Sequence, residues 1–254
     1  MDSTPQPAPA RPQANAKTGQ GFAIVIAAYN EEAVIAQTIE RTHQVWPEAK
    51  IIVVNDGSRD RTAEIVKELA ARNGLVLLHT YKVNHGKGFA IARGIDLAET
   101  PYSLQLDADC QFPPEDMPAL VAPLLDGRAR MVFCSRYCEG ASRETGSVTF
   151  SKRLASLFAS GLVSFLSRRR LTDVFAGFKA WDTDFAQSLG LTEAGFGYEA
   201  ELAIKAARLG EPIPEIPIAY ASRRAGESKI RFSRDLVSVP LSILKVWLAS
   251  LWKK

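Results

Sequence analysis

Two aspartates, Asp107 and Asp109, directly follow a short apolar run, and Gln111 comes two residues later. Carboxylates this close repel each other, and a bound cation compensates the repulsion. Carboxylate and amide oxygens are hard ligands that suit Mg²⁺ or Mn²⁺, and the phosphate oxygens of a substrate can complete the coordination shell. The spacing therefore predicts a divalent-metal site at Asp107, Asp109 and Gln111. A solvated acidic turn is the alternative for an isolated Asp-x-Asp.

The elements that must position these residues alternate along the chain. Apolar runs predict strands at 22–28, 51–54, 75–79, 102–106 and 131–135. Helical spacing predicts four helices between these strands. The first is capped by Asn30 and closed by Pro47, the second ends near Asn73, and the other two span 89–98 and 117–125. This alternation predicts an α/β domain over residues 21–235, with a mostly parallel sheet and helices on both faces.

Polar side chains follow three of the predicted strands. Glu31 comes after the first strand, Asp56 after the second, and Asp107 after the fourth. The carboxyl ends of parallel strands meet at one edge of a sheet, where open α/β sheets bind ligands. We therefore expect these carboxylates to converge on one crevice, which favours the metal site over the solvated turn.

Composition and missing motifs exclude several classes of protein. The 254 residues are 46% apolar and 23% charged with a net charge of +3, which indicates a globular protein and no nucleic-acid partner. Three cysteines without a disulfide framework favour a reducing compartment. Neither Gly-x-Gly-x-x-Gly after the first strand nor a P-loop occurs, which disfavours a dinucleotide or P-loop site. Phosphate groups would then be neutralised by the metal and by basic side chains.

Three segments bear on the relation to membranes. Residues 1–20 carry four prolines among Ala and Gln, which predicts a disordered tail. No run reaches the roughly 20 apolar residues of a spanning helix, and residues 1–20 lack a signal-peptide pattern. Residues 151–170 and 236–254 predict apolar helices flanked by basic residues. The first fits an interfacial helix or a core helix equally, whereas the two tryptophans of the second favour membrane contact.

Five motifs occur in order, namely Ala27-Ala-Tyr-Asn-Glu31, Asn55-Asp-Gly-Ser58, Gly86-Lys-Gly88, Asp107-Ala-Asp-Cys-Gln111 and Gly226-Glu-Ser-Lys229. Each is weak alone. Together they resemble family 2 glycosyltransferases with the GT-A fold, particularly dolichyl-phosphate mannose synthase and bacterial polyprenyl-phosphate sugar synthases. The resemblance implies inverting transfer of a sugar from a GDP- or UDP-linked donor to a polyprenyl phosphate. It also implies a cytoplasmic enzyme, peripherally associated with the inner face of the cytoplasmic membrane.

The resemblance assigns roles to individual residues. It implies donor binding by Ala28, Tyr29, Glu31, Asp56, Lys87, Asp107 and Ser228. It implies that Arg136, Ser151, Lys152 and Lys179 face the acceptor phosphate, and that Asp109, Arg136, Arg223 and Lys229 are catalytic. Residues 223–229 match a loop that closes over the donor. The family's arginine four residues before Ser151 is replaced by Ser147, so Arg143, Lys152 or Arg153 would supply that charge, or the phosphate is held differently.

Two other functions fit the same residues. A glycosyltransferase acting on a sugar or protein hydroxyl would need a carboxylate base over the acceptor, whereas a phosphate is already anionic near neutral pH. A non-catalytic nucleotide-sugar-binding module is the other alternative, because a fold does not determine function. Mere binding does not require Asp-x-Asp-x-Gln together with Arg223 and Lys229, which favours an enzyme. The residues do not distinguish GDP from UDP or one sugar from another.

Overall fold

The computed structural model describes residues 14–222 and 232–251. A seven-stranded sheet forms its centre. Its strands are β1 (Phe22–Ala28), β2 (Lys50–Asp56), β3 (Val76–Tyr81), β4 (Tyr102–Leu106), β5 (Met131–Ser135), β7 (Phe178–Asp182) and β8 (Glu215–Pro217). Their order across the sheet is β3-β2-β1-β4-β7-β5-β8. A second, two-stranded sheet pairs β6 (Ser142–Arg143) with β9 (Ala219–Tyr220). The mostly parallel sheet is confirmed, and β7 is an antiparallel insertion between β4 and β5 that was not predicted.

Eight helices among the described residues cover the sheet. They are α1 (Ile35–Val45), α2 (Thr62–Arg72), α3 (Lys87–Asp96), α4 (Met117–Leu125), α5 (Phe150–Ser167), α6 (Thr183–Ser188), α7 (Tyr198–Arg208) and α8 (Phe232–Leu251). Ile24 and Ile26 of β1 join one core with residues of α1, α2 and α4, whereas Val25 joins the other core. Helices α3, α5, α6, α7 and α8 supply that second core, so both faces of the sheet are covered as predicted.

Asn30 does not cap the first helix, contrary to prediction. Helix α1 begins at Ile35, and Asn30 has a left-handed backbone with φ of 53°. Its side-chain Oδ1 accepts a hydrogen bond from the backbone N–H of Arg59 at 2.8 Å. Asn30 therefore joins two loops at the edge of the sheet instead of starting a helix.

The prediction of a disordered tail over residues 1–20 is wrong for residues 14–20, and residues 1–13 lie outside the described part of the chain. The backbone N–H of Asn15 donates to the carbonyl of Gln20 at 2.9 Å and closes a turn. Nε1 of the buried Trp46 donates to the carbonyl of Ala16 at 2.8 Å. Gly19, with φ of 80°, lies where a Cβ would come within 2.6 Å of the Trp46 Cβ, so this turn packs closely on the core.

Helices α5 and α8 pack against each other and against α7. Val163 of α5 and Ile243 of α8 are fully buried, whereas Phe158 and Leu248 are 65% and 51% exposed. Each helix thus contributes to the core and also presents apolar side chains outward. Neither they nor any other described helix is long and apolar enough to cross a membrane.

Candidate active site

The loops that follow β1 and β2 are hydrogen-bonded to each other at the carboxyl edge of the sheet. The backbone N–H of Asn30 donates to Ser58 Oγ at 2.9 Å, and that of Glu31 donates to Thr62 Oγ1 at 2.8 Å. Ala28 ends β1 and is buried, Tyr29 is half-buried, and Glu31 is 9% exposed. The predicted donor-binding residues Ala28, Tyr29 and Glu31 therefore lie in a loop that is hydrogen-bonded to the segment after β2.

Asp56 ends β2 and holds the loop that carries Lys87. Its Oδ1 accepts from the backbone N–H of His85 at 2.9 Å, and its Oδ2 accepts from that of Gly86 at 2.7 Å. Gly86 has φ of 111°, and a Cβ there would collide with the carbonyl of Ala194. The glycine motif thus allows the start of α3 to pack against the backbone near Ala194, to which the Phe89 N–H donates at 3.1 Å.

The Asp-x-Asp-x-Gln loop leaves β4 beside the end of β1, where the strand order changes direction. Asp109 and Gln111 are buried, at 8% and 4% exposure. Asp109 Oδ1 accepts from the Gln111 backbone N–H at 3.2 Å, and Gln111 Nε2 donates to the carbonyl of Ala221 at 3.1 Å. Thr38 of α1 donates to the carbonyl of Ala108 at 2.8 Å and supports the loop from beneath.

Lys87 provides a cation at the first aspartate. Its Nζ lies 2.8 Å from Oδ1 and 2.9 Å from Oδ2 of Asp107, and 3.8 Å from Oε1 of Glu199. Burial alone would lower the pKa of Lys87, but the carboxylates of Asp107 and Glu199 more than reverse this and raise it. The amine therefore stays protonated and occupies the anionic face of Asp107.

Lys179 does not lie where it was predicted. It is fully buried on β7, where its Nζ contacts the carbonyl of Ala176 and lies 3.4 Å from Glu199 Oε1. The prediction that Lys179 binds the acceptor phosphate is therefore wrong, because a side chain with no exposed surface cannot contact a ligand. The hydroxyl of Tyr198 lies 3.1 Å from Glu199 Oε1 and 3.0 Å from Gln105 Oε1.

These contacts form a network of two cations and two carboxylates, in which Lys179 and Glu199 are buried and Lys87 and Asp107 are partly exposed. It comprises Lys87, Gln105, Asp107, Lys179, Tyr198 and Glu199. Burial raises the pKa of the Tyr198 phenol, and the charges of Glu199 and Asp107 raise it further. The phenol therefore remains a hydrogen-bond donor, and the formal charges of the network sum to zero.

The residues present fit a divalent cation that is also held by a substrate. Asp107 already binds one cation, the ammonium group of Lys87, in the place where a metal ion would bind. A Cβ at Gly177 would collide with the Asp107 carboxylate, so the glycine leaves room for it. Within residues 14–222 and 232–251, no group of three or more His, Cys, Asp or Glu side chains could hold a metal. Asp107 and Asp109 alone would leave most of the coordination shell to other oxygens, such as those of a diphosphate.

Arg136 lies just beyond β5 and is bound by a buried carboxylate. Its Nε and Nη2 donate to Oδ2 and Oδ1 of Asp173 at 2.6 and 2.8 Å, and Asp173 has no exposed surface. Its guanidinium carbon lies 5.1 Å from the ring centroid of Tyr220. Burial would lower the pKa of Arg136, but Asp173 outweighs it and raises that pKa well above its usual value. Arg136 is thus a permanently charged group held in one orientation.

The other predicted acceptor residues lie on exposed segments. Ser151 and Lys152 are in the first turn of α5, and Ser151 is exposed. Arg143, on β6, lies next to Arg136, because its Nη1 donates to the Arg136 carbonyl at 3.3 Å. Its guanidinium also lies 4.9 Å from the ring centroid of Tyr137. The predicted loop residues Arg223, Ser228 and Lys229 lie outside the described part of the chain.

Sequence reasoning missed the supporting residues of this site. Glu199 occurs among alternating acidic and apolar residues at the start of α7, as on a solvated helix, yet it is 1% exposed. Thr38 belongs to none of the five motifs. Asp173 and Gly177-Phe-Lys179 resemble the family motif Asp-x-x-x-Gly-Phe-Arg, with Lys in place of Arg, but this motif does not reveal the pairing of Asp173 with Arg136, 37 positions away.

Comparison with known proteins decides the family. The model of the family described as "Glycosyl transferase family 2" matches residues 23–172, which include the Asp-x-Asp-x-Gln loop and Arg136. The chain belongs to glycosyltransferase family 2. The resemblance inferred from the five motifs is thereby confirmed.

The chain is similar to two bacterial enzymes over most of its length. It is 28% identical to the undecaprenyl-phosphate mannosyltransferase of Micrococcus luteus, covering 90% of this chain and 95% of that protein. It is also 28% identical to the polyprenol monophosphomannose synthase of Mycolicibacterium smegmatis, covering 85% and 83% respectively. The family 2 glycosyltransferase described here thus resembles polyprenyl-phosphate sugar synthases.

Solved structures show the fold. The glucosyl-3-phosphoglycerate synthase of Mycobacterium tuberculosis, in complex with Mn²⁺, uridine diphosphate and phosphoglyceric acid, superposes with a TM-score of 0.67 at 22% identity. The match covers 96% of this chain and 85% of that one. The GT-A fold predicted for this chain is confirmed.

Proposed function

We propose that this protein transfers a sugar, with inversion, from a nucleoside diphosphate sugar to the phosphate of a polyprenol. The observation that carries the proposal is that two charged centres, one around Asp107 and one around Arg136, lie at the same edge of the sheet. Asp107 and Asp109 follow β4, and Lys87 contacts Asp107. Arg136 follows β5 as a fixed guanidinium. The relatives whose names specify undecaprenyl phosphate or a polyprenol support this acceptor.

The donor would lie over the carboxyl ends of β1, β2 and β4. Ala28, Tyr29, Glu31 and Asp56 would contact the nucleoside, since carboxylates accept hydrogen bonds from ring N–H groups and ribose hydroxyls. Asp107, Asp109 and Gln111 would hold Mg²⁺ or Mn²⁺ against the diphosphate. The metal would supply positive charge for the leaving diphosphate. Lys87 adds a second positive charge beside it, where charge develops in the transition state.

The acceptor phosphate would lie at Arg136. Asp173 orients this guanidinium in advance, so that little side-chain entropy is lost when a phosphate binds. Arg143 is held beside it by the Arg136 carbonyl and Tyr137. Arg143 would thus supply the charge that Ser147 lacks, with Ser151 and Lys152 at the start of α5 as further contacts. A phosphate monoester is already anionic and can attack without a strong base.

The assay is transfer of a radiolabelled sugar from a panel of GDP- and UDP-sugars, with and without undecaprenyl phosphate. We expect lipid-linked label only when the polyprenyl phosphate is present, and loss of at least about tenfold in kcat/KM for Arg143→Met, which is about 1.4 kcal/mol. Arg128→Met removes an exposed arginine remote from the site and is the matched control. Label transferred to a free sugar or a protein instead would contradict a polyprenyl phosphate acceptor.

The protein would meet its lipid acceptor at the membrane surface. Each CH₂ of a polyprenol exposed to water costs about 0.8 kcal/mol, so the lipid stays in the bilayer. Phe150, Leu154 and Phe158 of α5 are 79%, 59% and 65% exposed. On α8, Leu241 and Leu248 are 61% and 51% exposed. These side chains suit the headgroup boundary, and nearby basic residues suit anionic lipids.

Vesicle flotation tests membrane association. The wild type should float with vesicles containing anionic phosphatidylglycerol, and Phe158→Ser should float less. Leu77→Ser, on the far edge strand β3 where Leu77 is 48% exposed, is the matched control. A wild type that stays at the bottom of the gradient, or equal loss in both variants, would contradict membrane contact through α5.

A further inference from the structure

The Lys87 ammonium lies where a divalent cation would approach Asp107. It contacts both carboxylate oxygens, at 2.8 and 2.9 Å, so both are occupied by one cation. A second cation at those oxygens would repel the ammonium. Lys87 and a metal ion therefore cannot occupy Asp107 in the same way at the same time.

A second carboxylate lies within reach of the same ammonium. Oε1 of Glu199 is 3.8 Å from Lys87 Nζ, and the Glu199 side chain is 2% exposed. Lys179, its other cationic neighbour, is 3.4 Å from Glu199 and also contacts the Ala176 carbonyl. Glu199 therefore already lies between two lysines, and a small movement of Lys87 would shift it from Asp107 to Glu199.

We propose that Lys87 and Glu199 form a cation-exchange pair that controls metal entry at Asp107. Without donor, Lys87 neutralises Asp107 and keeps its affinity for free metal ions low. When a metal ion arrives together with a diphosphate, Lys87 moves toward Glu199 and the diphosphate oxygens. Glu199 is thus a positioning residue, and Lys87 acts both as a competitor of the metal and as a ligand of the donor. This proposal rests on the proposed metal site.

The exchange predicts that one variant, Lys87→Met, gains affinity for one ligand and loses affinity for another. Lys87→Met removes the competing cation, so Mn²⁺ should bind about tenfold more tightly without nucleotide, which corresponds to about 1.4 kcal/mol. The same variant should bind UDP or GDP more weakly in the presence of Mn²⁺, because a positive charge near the diphosphate is lost. Lys87→Arg keeps the charge and should leave Mn²⁺ binding close to that of the wild type. A purely structural lysine would not produce a gain in metal affinity.

Mn²⁺ binding is measured on the full chain by electron paramagnetic resonance of the free ion, and nucleotide binding by calorimetry. Lys50→Met, an exposed lysine at the amino end of β2, is the matched control for loss of one positive charge. Equal or weaker Mn²⁺ binding by Lys87→Met overturns the exchange while leaving the metal site itself intact. Absence of Mn²⁺ binding by the wild type, with and without nucleotide, overturns the proposed metal site and the exchange together.

Glu199 is tested in a background that keeps the buried charges balanced. Glu199→Gln alone would leave Lys179 buried without a carboxylate, which destabilises folds. We therefore compare Lys179→Met with Lys179→Met/Glu199→Gln, confirming folding by circular dichroism. The second protein should bind Mn²⁺ several-fold more weakly than the first, because Lys87 has no alternative partner. Adding Lys87→Met to both should abolish that difference, and a difference that persists would overturn the role of Glu199.

Discussion

The pair formed by Arg136 and Asp173 should contribute strongly to stability, and Asp173→Asn tests this. Asp173 is fully buried and the Arg136 side chain is 11% exposed, with two hydrogen bonds of 2.6 and 2.8 Å between them. Unit charges about 4 Å apart attract by about 4 kcal/mol at an effective dielectric constant of about 20. Removing one partner of a buried pair costs about 3–5 kcal/mol, because the other charge stays desolvated. We expect Asp173→Asn to lower the unfolding free energy by that amount.

The double variant Arg136→Met/Asp173→Leu separates stability from function. Replacing both charges by apolar groups often restores stability. Here the backbone N–H of Arg136 also donates to Asp173 Oδ2 at 3.0 Å and would lose this acceptor, which costs about 1–3 kcal/mol. The double variant should therefore be more stable than Asp173→Asn and less stable than the wild type. It should show no sugar transfer, because the Arg136 guanidinium is gone.

Urea unfolding followed by circular dichroism measures these differences. Asp126→Asn is the matched control, because Asp126 also binds an arginine, Arg128, at 2.8 Å, but both side chains are more than half exposed. Exposed pairs contribute about 0–1 kcal/mol. If Asp173→Asn costs no more than Asp126→Asn, the inference that burial makes this pair important is refuted.

Three further predictions concern the proposed metal site at Asp107 and Asp109 and one buried carboxylate, Glu201. Asp109→Asn should lose most transfer activity with an unchanged circular dichroism spectrum, and full activity of this variant in excess EDTA would contradict a metal. Gly177→Ala should weaken Mn²⁺ binding at least tenfold by displacing Asp107, whereas Gly161→Ala, with open space around its Cβ, should not. Burial acts to raise the pKa of Glu201, but Lys205 and the amides near Thr192 outweigh it, so the net shift is downward. The stability that Glu201 adds is therefore present above its ordinary pKa of 4.5 and lost as the pH falls through its lower folded value. Urea unfolding over roughly pH 3–6, where carboxylates titrate, should show that Glu201→Gln loses less unfolding free energy on acidification than the wild type.

Local sequence signals predicted the parallel half of the sheet well. Strand β4, helix α4 and strand β5 begin and end at the predicted residues. Each is a short apolar run bounded by Pro, Asp, Gly or Arg, so the signal is contained in neighbouring residues. The gathering of Asp56, Lys87 and Asp107 at one edge of the sheet could also be predicted, because parallel strands bring their carboxyl ends to the same edge. Strand β7 was missed, since its antiparallel place between β4 and β5 depends on partners more than 40 positions away in sequence.

The error at Lys179 has a physical explanation that sequence reasoning can use. Lys179 stands among Phe178, Ala180 and Trp181, all of which are fully buried on β7. A lysine within such a run has to be desolvated, and a buried charge persists only when it is paired. The family resemblance implied a phosphate as the partner of Lys179, whereas the fold supplies Glu199, 20 positions later on α7. A cation that binds an acceptor phosphate has to reach the surface, and a lysine that the apolar neighbours of a strand keep inside does not reach it. The apolar context of a basic residue is therefore a reason to seek its carboxylate partner within the fold before a ligand is assigned to it.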